Sequence, residues 1–465
     1  MTSHPEPLSG TADSPDGRLF QFAGARGHGL EPGGFVRLQT RDGAVRLGQF
    51  DGVQHAAGVT ARGTGRLLGL VAPNGALDAR RSSPFQSAQM ADATPALIEA
   101  LHACTGASLG IGGYLASGAD ASLVPGRFNR HTFWCGQSGS GKTYALGVVL
   151  EQLLIHTGLP VLVLDPNGDF VRLGEADPAG TADERALASR SVRVLRAGAA
   201  DPDALRVRFV DLPTRAKGAV LHLHPLDDRA EYNELLHLEE TLGTLRPDQI
   251  VPRLRERGTT AAIDLAGRVE NLRVTGWRVW AGERAAVVDI VDTRPDATVL
   301  DLGGFENPDE PLVVAMAVLD DLWAKRESRR PVLIVIDEAH NLCAPEADDP
   351  LRTAVRERLI QIAAEGRKFG LWLLLSTQRP SRVHPGIVSQ CDNLALMKMT
   401  SPLDLAGLAT VFGFVPPAML ERSPSFRQGE ALFAGGFAPA PMMVAMGRRL
   451  TPEGGADVPV PARST

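Results

Sequence analysis

Two hydrophobic rhythms run along this chain. From Leu19 to about Leu77 apolar residues fall on alternate positions, as in Phe35-Val36-Arg37-Leu38-Gln39 and Ala44-Val45-Arg46-Leu47-Gly48-Gln49-Phe50. The turn-forming pairs Asp42-Gly43, Asp51-Gly52 and Asn74-Gly75 punctuate these runs. Alternation turns one face inward, so this stretch predicts a small antiparallel barrel or sandwich. A helix-like stretch, Pro95 to Ala103, leads to the Gly-rich Gly106 to Gly118. Beyond about Arg127 the rhythm changes to continuous apolar runs: Val161 to Leu164, Val332 to Ile336 and Leu371 to Leu375. Strands covered on both faces read this way, and they predict a parallel sheet with helices on either side.

These rhythms divide the chain. Residues 1–17, rich in Ser, Pro, Gly and Asp, offer little to bury and are expected to stay loose. Residues 18–115 are expected to form the small β-barrel domain, and 116–449 a larger α/β domain. Inside the latter, about 174–296 loosens into polar helical segments (Arg229 to Leu242, Ala261 to Leu272) and reads as an accessory insertion. Residues 450–465, with Pro, Gly and Ser, read as an extended tail.

Composition narrows the class. At 465 residues, 44% hydrophobic and 22% charged, the chain excludes wholesale disorder and a collagen-like repeat. No run approaches the ~18 apolar residues of a membrane helix, and the start lacks the order of a secretory leader, so no membrane insertion and a cytoplasmic protein are expected. The four cysteines (Cys104, Cys135, Cys343, Cys391) have no metal or redox spacing and read as buried thiols. A net charge of −6 gives no global basic field, so any nucleic-acid contact has to be local.

The sharpest motif is Gly136-Gln137-Ser138-Gly139-Ser140-Gly141-Lys142-Thr143, which follows the apolar Thr132 to Cys135 and opens a helical pattern from Tyr144 to Leu154. Its glycines let backbone N–H groups curl toward phosphate oxygens, the helix aims its positive end at the same point, Lys142 meets the β/γ charge and Thr143 suits Mg²⁺. A second motif ends the run Val332 to Ile336 with two carboxylates. Asp337 is placed to join a Mg²⁺ shell, and Glu338 to polarise an attacking water in ATP hydrolysis.

Further polar residues end or flank the same predicted strands. Asp165, after Val161 to Leu164, either contacts Mg²⁺-bound water or caps the turn through Pro166-Asn167-Gly168. Gln378, after Leu371 to Leu375, is placed to sense the γ-phosphate or orient the water. Arg367, at the end of a predicted helix (Leu351 to Ala364), is either a partner for the helix dipole or an arginine finger reaching a neighbouring subunit. Arg130, just before the phosphate-loop strand, is a second candidate for that part.

In this order, the phosphate loop, Val163-Leu164-Asp165-Pro166-Asn167-Gly168-Asp169-Phe170, Ile336-Asp337-Glu338-Ala339-His340-Asn341, Glu365 to Gly370 and Ser376-Thr377-Gln378-Arg379-Pro380-Ser381 resemble the HerA branch of the FtsK–HerA ATPases, over roughly 127–449. The resemblance implies a RecA-like P-loop core preceded by that family's small β-barrel, a homo-hexameric ring with ATP between subunits, and DNA moved through the channel. It implies a nuclease partner of the NurA type, or a Sir2-like effector, in end processing or anti-phage defence. By the same likeness Lys142 and Thr143 match the Walker A pair, Asp337 and Glu338 the Walker B pair, Gln378 the sensor and Arg367 the arginine acting across subunits. The rival readings are a VirB4- or TraG-like secretion or conjugation motor and an ATP-switched scaffold for an effector enzyme.

Overall fold

The computed structural model describes residues 7–55, 60–81, 83–242, 246–346 and 349–455. Two compact units emerge, one of Met1–Thr157, Gln378–Ser381 and Cys391–Arg449, the other of Gly158–Thr377, Arg382–Gln390 and Leu450–Thr465.

In the first unit the alternating stretch becomes β1 (Ser9–Ser14), β2 (Leu19–Arg26), β3 (Phe35–Gln39), β4 (Val45–His55), β5 (Ala61–Val71), β6 (Leu77–Asp78) and β7 (Phe85–Asp92). The order β2-β1-β7-β3-β4-β5 closes through a β2–β5 pairing, so the predicted barrel forms, with β6 appended to β5. Phe20, Phe22 and Phe50 fill its interior, with ring centroids 5.0–6.3 Å apart.

Two expectations change here. Ser9–Ser14, expected to be loose, is a barrel strand paired with both β1 neighbours, β2 and β7. Backbone pairing does not need apolar side chains, and Ala12 and Ser14 are small enough to be fully buried; residues 1–6 lie outside the described residues. Asp51-Gly52 is not a turn, because β4 runs straight through it and the register against β5 merely shifts between Phe50 and Gly52.

The chain continues in this unit with α1 (Pro95–Thr105), β8 (Leu109–Tyr114), β9 (Asp120–Leu123), β10 (His131–Cys135) and α2 (Lys142–His156). Cys104 on α1 is exposed, unlike the other three cysteines, because the buried side of that helix is carried by Leu97, Ile98 and Leu101.

The second unit holds β11 (Val161–Asp165), α3 (Ala182–Ala188), β12 (Val192–Arg196), α4 (Thr214–Val220), α5 (Arg229–Leu242), α6 (Pro247–Arg257), α7 (Thr260–Leu272), α8 (Val287–Asp292), β13 (Ala297–Asp301), α9 (Glu310–Ala324), β14 (Val332–Ile336), α10 (Pro350–Glu365), β15 (Leu371–Thr377) and α11 (Pro385–Val388). The strands run in the order β12-β13-β11-β14-β15, all parallel. β12 lies inside the expected insertion yet is an edge strand of this sheet, so the helical part is α4 to α8. Its sequence, Val192-Arg193-Val194-Leu195-Arg196, interrupts the apolar run with two arginines, as suits an edge strand.

β16 (Cys391–Leu396), α12 (Pro402–Val411), α13 (Pro417–Leu420), β17 (Glu430–Gly435) and β18 (Met442–Met446) complete the first unit. β10 pairs parallel with β16, and β16-β17-β18-β8-β9 continue antiparallel. β8 therefore belongs with β18 rather than with the barrel, and the expected boundary at residue 115 moves back to the end of β7. Gly-rich β8 carried too little apolar alternation to reveal its partner. No helix among the described residues is long and apolar enough to cross a membrane.

Candidate functional site

The phosphate loop lies in the first unit, between the fully buried β10 and α2. Gly139 and Gly141 both take positive φ (74° and 84°), which glycine adopts at little cost and which turns the chain back onto itself. Gln137 N–H donates to Lys398 O (2.9 Å), Gly429 N–H donates to Ser140 O (3.0 Å), and the Thr400 hydroxyl donates to Gln137 Oε1 (2.9 Å). The segments after β16 and before β17 thus fix the loop from outside. Gly141 is the N-cap of α2 and provides no capping side chain, so the first turn of this 15-residue helix presents amides suited to an anion. Lys142 is buried at the start of that turn.

The carboxylates lie in the second unit, at the C-terminal ends of its parallel strands, where open α/β sheets take ligands. β14 and β15 are in register, with Ile336 beside Leu375. One step further along, Ser376 Oγ donates to Asp337 Oδ1 (2.6 Å), with both residues buried. Glu338 has φ 45° and ψ 48°, a left-handed conformation uncommon for a non-glycine residue, and is also buried. His340 Nδ1 stands 3.3 Å from Glu338 Oε2 and 3.1 Å from Thr377 Oγ1.

Asp165 shows its turn-capping alternative directly. Its Oδ1 accepts from Asn167 N–H (3.3 Å) and Asp169 N–H (3.0 Å), and its Oδ2 from Phe170 N–H (2.8 Å). Burial pushes its carboxyl up to about 6 against the pull of those amides, and the nearby charges of Asp337 and Asp169 push the same way. One oxygen each from Asp165, Asp169 and Asp337 lie within 4.8 Å of one another. An all-carboxylate donor set of this size fits a hard divalent cation such as Mg²⁺.

The remaining candidates are distributed unevenly. Gln378 follows Thr377 directly and is half-buried. Arg367 sits in the short turn Gly366–Phe369 at the opposite, N-terminal end of β15, where its carbonyl accepts from Gly370 N–H and Trp372 Nε1–H. A seven-residue strand separates it from Thr377, about 20 Å at ~3.3 Å per residue, so the fold does not bring Arg367 to the carboxylates of its own chain. Arg130 likewise lies at the N-terminal end of β10, away from the loop at the other end, and pairs with Asp392 at 3.7 Å. That ion pair and the strand's length take Arg130 out of the phosphate site of its own chain.

Ser376, His340 and Asp169 are the site residues that the motifs alone did not single out. The register of two neighbouring apolar runs was the available signal for Ser376, since counting one position past each run sets it beside Asp337.

Residues 111–277 match the family model described as "Helicase HerA, central domain". "Probable helicase MJ1565" of Methanocaldococcus jannaschii is 32% identical over 136 residues, 28% of this chain and 26% of that protein. The "DNA double-strand break repair helicase HerA" of Sulfurisphaera tokodaii is 23% identical over 359 residues, 72% of this chain and 68% of that protein. The chain thus spans about a quarter of the first relative's length and about two thirds of the second's. Among solved structures, the bacterial conjugative coupling protein TrwB, in an unbound form, superposes with a TM-score of 0.50 at 13% identity, covering 76% of this chain and 91% of that one, a likeness of fold.

Proposed function

We propose that this chain, HerA-like in sequence and a P-loop α/β protein in fold, hydrolyses ATP to move DNA. The observation that carries the reading is the paired arrangement at the ends of β14 and β15, where Ser376 holds Asp337 and the next residue, Glu338, is buried in a conformation its backbone does not favour. A buried acid beside a second acid held in place suits the activation of water beside a cation, and the left-handed backbone of Glu338 is the kind of local strain that collects at functional sites.

The loop amides of 136–143 and Lys142 bind the β- and γ-phosphates. Thr143, Asp337 and Asp165 are the residues that would hold Mg²⁺, which supplies charge neutralisation on those phosphates. Glu338 accepts the proton of the attacking water, and Gln378 orients it. Arg367, remote from its own chain's carboxylates, supports assembly into a homo-hexamer in which a neighbour contributes the guanidinium. A nuclease or effector partner, in DNA end processing or anti-phage defence, follows from the family likeness.

The experiment measures ATP hydrolysis by the purified chain with and without duplex DNA, beside Glu338→Gln. The wild type should turn over ATP, faster with DNA, while Glu338→Gln binds nucleotide and does not turn over. Hydrolysis by Glu338→Gln at the wild-type rate would remove Glu338 from its role, and indifference to DNA would favour the scaffold reading. Sizing in the presence of ATP tests the hexamer.

A further inference from the structure

We propose that His340 is a positioning residue that sets the direction of the Glu338 carboxylate, with Thr377 as the alternative acceptor for its Nδ1–H. The inference rests on the ATPase reading above and adds to it a residue that reading does not use.

The tips of β14 and β15 treat their two acids differently. Asp337 is held directly by Ser376, whereas Glu338 has the imidazole of His340 between itself and the corresponding residue, Thr377. The tight turn Ala339–Asn341 makes this possible: Asn341 N–H donates to Glu338 O (2.8 Å), and the left-handed backbone of Glu338 swings the chain so that the side chain two residues on faces back toward its own. Thr377 is fully buried and the His340 ring is 17% exposed, so the ring cannot be replaced at Glu338 by bulk water without moving.

His340 Nδ1 is hydrogen-bonded to Thr377 Oγ1 at 3.1 Å and stands 3.3 Å from Glu338 Oε2, within ion-pair reach but outside hydrogen-bond geometry. A small turn of the ring brings Nδ1–H from Thr377 Oγ1 onto Oε2, where it aligns the carboxylate. Thr377 immediately precedes Gln378, so the shared donor ties the alignment of Glu338 to the end of the strand that leads into the second water-orienting residue. A fixed, preorganised donor affects the transition state more than substrate binding.

Steady-state ATP kinetics on the full chain separate this role from a merely structural one. His340→Ala should lower kcat by about tenfold or more, the range met when a partner of a site residue is removed, with KM for ATP changed by less than about twofold. His340→Asn places an amide N–H at the Nδ1 position and should recover most of kcat, whereas His340→Gln places it one bond further out and should not. Thr377→Val should lower kcat less than His340→Ala, and the double variant should lose less than the sum of the two, as for residues in one network. If His340→Ala cannot be purified folded, as judged by circular dichroism, the Asn and Gln pair carries the comparison. A His340→Ala kcat within twofold of wild type, or equal rates for Asn and Gln, overturns the inference while leaving the ATPase reading standing. A wild type that binds but never hydrolyses ATP, or a Glu338→Gln as active as wild type, overturns both.

Discussion

Arg449 and Glu151 are each 1% exposed, with Nε and Oε1 3.7 Å apart. Glu151 sits on α2, the helix that the phosphate loop opens, and Arg449 N–H donates to the hydroxyl of Tyr144 on the same helix (2.8 Å). Between them lies Gly147, where a Cβ would stand 2.5 Å from Arg449 Nε. The residue just past β18 is therefore locked into a groove of α2 made by Tyr144, Gly147 and Glu151. Removing one partner of a buried pair strands the other charge, at a cost of about 3–5 kcal/mol. At roughly 2–4 °C per kcal/mol for a unit of this size, Arg449→Ala should lower the melting temperature by about 6–20 °C. Replacing both charges by methionine should recover much of the loss, since a buried pair gives little net stability over apolar side chains of similar volume. Gly147→Ala should destabilise too, despite the ~1 kcal/mol of helix propensity it gains, because a Cβ there would overlap the buried Arg449 side chain and force it to shift. Thermal and urea unfolding of these three variants beside the wild type decide the matter. An Arg449→Ala stability within about 1 kcal/mol of wild type, or a double variant worse than either single change, would refute the reasoning.

Burial raises the Asp165 carboxyl from the ordinary 3.8 to about 6, so the folded state holds its proton more tightly than the unfolded chain. Its contribution to stability is present in full below about pH 4 and is lost as pH rises through about 6; in urea titrations without added metal, wild type should lose stability over that window relative to Asp165→Asn. Arg367→Ala should lose most ATP turnover, fingers of this kind being worth about 10³–10⁵ in rate in other systems. Rings mixed with Glu338→Gln should regain some activity, and none would return if Arg367 served its own chain. Arg130→Ala, which breaks only a half-exposed pair with Asp392, should shift stability by no more than about 1 kcal/mol in the same unfolding assay.

What the sequence disclosed follows from how local the physics is. The phosphate loop, β14 with its acids, and α5 are decided by short-range signals: glycine spacing, continuous apolar runs, a 3.6-residue stripe. β1 and β8 were not recognised as strands because their places are set by backbone partners distant in sequence, β7 for one and β18 for the other. Ser376 and His340 depend on strand register and on one left-handed residue, neither of which leaves a mark on composition. Chain order alone sets Arg130 and Arg367 at the N-terminal ends of their strands, but how far Arg367 lies from the acids follows only from the parallel pairing of β14 with β15.

The left-handed backbone of Glu338 has an evolutionary consequence. A non-glycine residue in that conformation costs roughly 1 kcal/mol that glycine would not, so thermal stability alone selects against the acid at this position. A library ranked by melting temperature should therefore enrich glycine at 338, and with it variants that are sturdier and that lack the acid on which the proposed hydrolysis depends. Stabilising this protein for practical use calls for a screen that scores turnover alongside heat resistance.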